Sequence, residues 1–165
     1  MHSAIILVIR GVVVTFDQMV KYLVASGQAD EIIKFGRSWV STHNHEEYDL
    51  KITEEMTQEE IVKEYSKICA VDCEFIDKFC GSDGNQFIHT WPCCSELANK
   101  KFVLGYCMGR ISADDCITEM VTLEDLCRKK SGFSRDDEIL TKLKLIGLEG
   151  PFHNICVPDS CTFCT

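Results

Sequence analysis

At 165 residues, with 45% hydrophobic and 26% charged residues, the chain has the make-up of one globular domain, 1–165, long enough to bury a core without metal or disulfide staples. Its net charge of −9 argues against nucleic acid as a partner, because that surface needs clustered Lys and Arg. Eleven cysteines, an odd number, exclude a complete set of intrachain disulfides.

Ala4 to Val14 is apolar, but Arg10 and Gly11 interrupt it. No basic stretch precedes it and no small-residue cleavage site follows, so it reads neither as a signal peptide nor as a membrane span. The pattern predicts a β-hairpin, Ala4–Ile9 and Val12–Thr15, with Gly11 supplying the positive φ of a tight turn. Both faces of that hairpin are apolar and need a cover. The domain's own helices are one cover, and a two-fold homodimer is another.

Thr15 with Gln18 has the spacing of a capping box and opens a helix that carries Phe16, Met19, Val20, Leu23 and Val24 on one face. Ser26–Gly27 should stop it. A second, short helix is predicted over Ala29 to Phe35, ending at Gly36. Residues 37–50, with Trp39, His43 and His45 in a polar setting, read as loop, and Leu50–Thr53 as a further short strand. Glu46, Glu47, Asp49, Glu54, Glu55, Glu59, Glu60 and Glu64 crowd this region. A solvated face is the simpler reading, and a docking surface for a basic partner is the alternative.

Thr57 with Glu60 forms a second capping box, and the helix behind it is predicted to run from Gln58 to about Phe79. Its stripe is Ile61, Tyr65, Ile68, Ile76 and Phe79, with Asp72 as an interruption and Cys69, Cys73 and Cys80 alongside. Gly81 to Asn85 is a turn cluster.

Phe87 to Met108 organises the chain. Phe102, Leu104, Tyr106 and Met108 alternate with Val103, Gly105 and Cys107, so both faces are apolar, as in a strand covered on both sides. Phe87, His89 and Trp91 share one face of a neighbouring strand that Pro92 closes. Two adjacent, central strands follow from this pattern. Gly109–Arg110 suggests a turn, and Ile111 to Met120 is open between strand and loop. Thr122 with Asp125 and Ser134 with Asp137 cap two more helices, the second ending at Gly147 and Gly150–Pro151. The tail carries no helical signal. The expected fold is α/β or α+β, a single mixed sheet with an N-terminal β-hairpin and several packed helices.

Three groups of residues invite chemistry. Most cysteines read as small buried hydrophobes, which suits Cys69, Cys73, Cys107 and Cys127 on apolar faces. Cys161-x-x-Cys164, with Cys156 and His153 close upstream, has the spacing of half a zinc site, yet no second C-x-x-C completes it. Cys93–Cys94 beside His89 suggests an activated thiol, without a marked partner for the histidine. The chain shows no Gly-rich phosphate loop, no H-E-x-x-H and no G-x-S-x-G. No catalytic, cofactor-binding or metal-binding residue is assigned, and no cofactor is expected.

The stretches GVVVTFDQMVKYL, PCCSELANKKFVLG and VPDSCTFC together resemble uncharacterised proteins of large cytoplasmic DNA viruses, of the Marseillevirus-like kind. The resemblance implies a viral protein made in host cytoplasm, which agrees with the free thiols expected of a chain without a signal peptide; packaging in the virion or action on a host partner are the roles open to it. It brings no catalytic residues. MGRISADDCITEM departs from the paired cysteines that some of these proteins carry after the central strand, which speaks against a metal site there. The function expected is a non-enzymatic interaction protein with an unidentified protein partner, and no membrane or nucleic acid. A zinc-stabilised binding module and a cysteine-dependent enzyme are the alternatives.

Overall fold

In a computed structural model, the described residues are 5–44, 46–82, 85–90, 97, 100–112 and 135–158. They form an α+β fold. A four-stranded antiparallel sheet has the order β4-β5-β1-β6, with β1 at Ile5–Val14, β4 at Ile88–Thr90, β5 at Phe102–Ser112 and β6 at His153–Pro158. The helices are α1 (Phe16–Ala25), α2 (Ala29–Thr42), α3 (Gln58–Ser66), α4 (Cys73–Phe79) and α5 (Asp136–Leu143). Strands β2 (Gly81–Ser82) and β3 (Asn85–Gln86) make a separate two-stranded ribbon at the expected turn cluster.

The N-terminal segment is one continuous strand, where a hairpin was expected. β1 sits inside the sheet, paired with β5 on one side and β6 on the other. Gly11 is needed here for proximity, because it lies opposite Gly105 across β1 and β5. A Cβ on Gly11 would overlap the Leu104 carbonyl and the Gly105 Cα, and a Cβ on Gly105 would overlap the Arg10 carbonyl and the Gly11 Cα. The two backbones can approach this closely only because neither residue has a side chain.

Alternation sorts the strands onto two faces. Val12, Val14, Phe102, Leu104, Tyr106 and Ile88 face the helices and join Phe16, Met19, Leu23, Ile32, Ile139 and Leu143 in the main core. Phe16 reaches the sheet directly, its ring 6.1 Å from that of Phe102. Leu7, Ile9 and Val103 form a second buried cluster on the opposite face. The expectation that β5 is apolar on both sides therefore holds. β4 is its neighbour, as expected, but lies at the sheet edge, and β1 takes the second interior place. β5 also continues through Gly109–Arg110 to Ser112, with a register shift between Val8 and Ile9 where a turn was expected.

Both capping boxes form. The Thr15 hydroxyl accepts from the Gln18 amide and the Gln18 side chain accepts from the Thr15 amide; Thr57 and Glu60 repeat the arrangement. α2 does not stop at Gly36. That glycine is buried against the Tyr65 ring of α3, where any Cβ would overlap the aromatic carbons, and the helix continues to Thr42 with Trp39 buried. Leu50–Thr53 is not a strand, although Leu50 is buried. The long helix expected from Gln58 divides into α3, a 3-10 turn at Lys67–Ala70, and α4. Asp72 causes the division by capping α4: its carboxylate accepts from the Glu74 amide at 2.8 Å and from the Trp39 indole at 2.8 Å. α5 begins at Asp136 after Arg135, whose side chain does not cap it; Ser134, the cap expected, lies outside the described residues.

Candidate functional site

Among the described residues, the densest polar constellation lies where β6 joins the sheet. Tyr106, Arg10 and Asn154 occupy one row across β5, β1 and β6, on the helix-facing side. Arg10 donates from Nε to both oxygens of Asp136 at 2.9 and 3.0 Å, and from Nη2 to Oδ2 at 2.9 Å. Its Nη1 donates to Asn154 Oδ1 at 3.1 Å, and the Tyr106 hydroxyl donates to Asp136 Oδ1 at 3.0 Å. The Phe152 ring lies 5.2 Å from the guanidinium. The fork of Arg10 suits a bidentate carboxylate, and the cationic plane suits an aromatic face. The network ties three strands to the first turn of α5 and fixes the position of β6.

The Arg10–Asp136 pair is half-buried, at 28% and 26% side-chain exposure. That places it between a buried ion pair and a surface one, and its net contribution to stability is about 1–3 kcal/mol. Arg135 and Glu138 pair next to it at 2.9 Å. The hydrogen bond from Arg135, helped by Lys142, lowers the Glu138 carboxyl to about 2 against the opposing effect of desolvation.

Among the described residues, β6 is the outermost strand beyond this network. His153, Asn154 and Cys156 are exposed and Ile155 is half-buried. The strand carries no Asp, Glu, Lys or Arg. The opposite edge differs. β4 spans Ile88 to Thr90, with Ile88 and His89 buried, and the Gly105 amide donates to the Phe87 carbonyl beside it at 2.9 Å.

The structure separates the zinc candidates that it describes. His153 pairs with Gly11 and Cys156 with Val8, so the two side chains leave β6 on opposite faces of the sheet. One tetrahedral ion cannot take both without remodelling the strand. Cys161 and Cys164 lie outside the described residues, as do Cys93, Cys94, His45, Trp91, Pro92, Cys127 and the helix expected after Thr122. Among the described residues, no group of three or more His, Cys, Asp or Glu is placed to hold a metal ion. His89 is buried on the face that also carries Val103.

The helical cysteines part company. Cys69 and Cys80 are buried free thiols, while Cys73 is exposed at the start of α4, so core packing holds for two of the three. Burial pushes the Cys69 thiol up to about 12, with Lys100 pulling weakly the other way, and burial raises Cys80 further, helped by Cys69 and Asp77. Neither is a thiolate at neutral pH, so neither is an activated nucleophile. The acidic stretch is solvated: Glu46, Glu47, Asp49, Glu54, Glu55, Glu59 and Glu60 are exposed, and half-buried Glu64 accepts from the Lys51 amide and from Lys67 Nζ.

Sequence reasoning missed the Arg10 network and β6 itself. Arg10 stood out as an interruption of the apolar run. Its partner Asp136 is 126 positions away, a separation that no local pattern spans.

Comparison with protein families, curated proteins and solved structures finds no match. Among the described residues, no helix is long and apolar enough to cross a membrane.

Proposed function

We propose that the chain is a non-enzymatic interaction protein whose docking element is the β6 edge of the sheet. The observation that carries this reading is the pair of unlike edges. An outer strand offers a row of backbone donors and acceptors to another chain unless charges, proline or a short length blunt it. β4 is short, with Ile88 and His89 buried, whereas His153–Pro158 is longer, exposes His153, Asn154 and Cys156, carries no charged residue, has its one proline at the last position and is held in place by Arg10 through Asn154. Strand addition at such an edge is a common mode of protein recognition. The raised thiols of Cys69 and Cys80 weigh against cysteine catalysis at those two positions. The likeness to uncharacterised giant-virus proteins supports a role in infected host cytoplasm or in the virion.

A photo-crosslinking side chain placed at His153, compared with one at Glu55 on the acidic stretch, tests the reading. Crosslinks to a protein chain should form at His153 and be weaker at Glu55. Equal yields at the two positions, or a higher yield at Glu55, would count against β6 as the docking element.

A further inference from the structure

We infer that the partner of the β6 edge is a second copy of this chain, paired antiparallel through β6 about a two-fold axis. The inference rests on β6 being a docking element. Charge favours this occupant. The chain carries a net −9, so two copies repel over most of their surface. His153–Pro158 contributes nothing to that repulsion, since it holds no charged side chain, and the charges behind it, Arg10 and Asp136, neutralise one another at 2.9 Å. A basic partner gains no steering toward a strip without carboxylates, and an acidic partner gains none toward a strip without Lys or Arg. An uncharged strand fits both requirements, and β6 of another copy is such a strand.

The geometry agrees. Antiparallel pairing of a strand with itself is self-complementary, and the two-fold operation closes after two copies. An axis perpendicular to the sheet keeps each face on its own side. Asn154 and Cys156 then stay on the helix-facing side of the joined sheet, and His153 and Ile155 on the other. Half-buried Ile155 supplies apolar contact across the junction. The product is a continuous eight-stranded antiparallel sheet, made from two sheets of four.

Sedimentation equilibrium of the full chain under reducing conditions, from low to high micromolar concentration, tests the inference. The expected result is a reversible monomer–dimer equilibrium. The double variant His153→Glu/Cys156→Glu should weaken it by ~10-fold or more while keeping the circular dichroism of the parent, because it sets carboxylates of both copies against one another. Hydrogen exchange of the unmodified chain gives a second readout: β6 amides should become better protected as concentration rises, while α1 amides do not change. A protein that stays monomeric throughout, with β6 protection independent of concentration, would overturn self-pairing. So would a dimer that the double variant leaves intact. Crosslinks from His153 to a different protein, obtained with a monomeric chain, would overturn self-pairing alone and leave β6 standing as a docking element.

Discussion

β5 and β6 flank β1 on its two sides, antiparallel to it, and are built for different purposes. β5 is interior: Phe102, Val103, Leu104 and Tyr106 are all buried, and Leu104 has no exposure at all. β6 is held from behind by Arg10 and shows His153, Asn154 and Cys156 to solvent. Packing fixes the sheet at β5, while β6 lies last in the strand order. Packing on both faces leaves β5 no freedom to exchange partners, whereas β6 has one strand neighbour among the described residues, β1, and is tied to it through Asn154.

Substitutions should cost much in β5 and little in β6. Leu104→Ala empties a fully buried site and should destabilise by about 2–5 kcal/mol in denaturant melts. A cost near zero would end the view of β5 as an interior strand. Gly105→Ala forces a methyl against the Arg10 carbonyl and should cost about 1–3 kcal/mol or more, although alanine is otherwise better suited to a strand than glycine. A neutral outcome would mean that β1 and β5 are not in close backbone contact.

Arg10→Ala sharpens the comparison, since it removes the tie between the two sides. It breaks the bidentate pair with Asp136 and should cost about 1–3 kcal/mol, with faster hydrogen exchange in β6 than in β5. Uniform loss of protection in both strands would show that the network does not position β6 separately. His153→Glu should change stability by no more than about 0.5 kcal/mol, because the side chain is exposed. A cost comparable to that of Leu104→Ala would close the β6 edge as a docking element.

The smallest effect concerns pH. The Glu138 carboxyl is lowered in the folded chain, so its stabilising contribution is present above its ordinary value of 4.5 and is lost as pH falls towards about 2. The pair with Arg135 is solvent-exposed, so the loss should be a small one that salt diminishes. Acid melts of Glu138→Gln and the parent should converge at the low end of that window. Divergence that grows as pH falls would contradict the sign.

Local chemistry was legible in the sequence. Thr15–Gln18 and Thr57–Glu60 declared their helix starts because a capping box is complete within four residues. Ser26–Gly27 declared a stop, and Gly27 does adopt a positive φ of 81°. β5 was visible because its unbroken apolar run implies two covered faces. These pieces narrowed the class to α/β or α+β, and the antiparallel sheet decided for α+β.

Tertiary contacts decided the rest. Gly11, Gly36 and Asp72 were each recognisable as special, but their roles depend on what lies across from them. Gly11 marks close strand approach to Gly105, Gly36 leaves room for the Tyr65 ring, and Asp72 caps α4 while accepting from Trp39. A glycine in an apolar run looks alike in sequence whether the chain turns there or a neighbouring backbone presses against it. β6 has no long apolar run of its own, and it becomes a strand by pairing with β1 and seating Ile155 against Leu7, Ile9 and Val103. The Arg10 network joins residues that chain order keeps far apart, so its components are written in the sequence while the folded sheet alone decides that they meet.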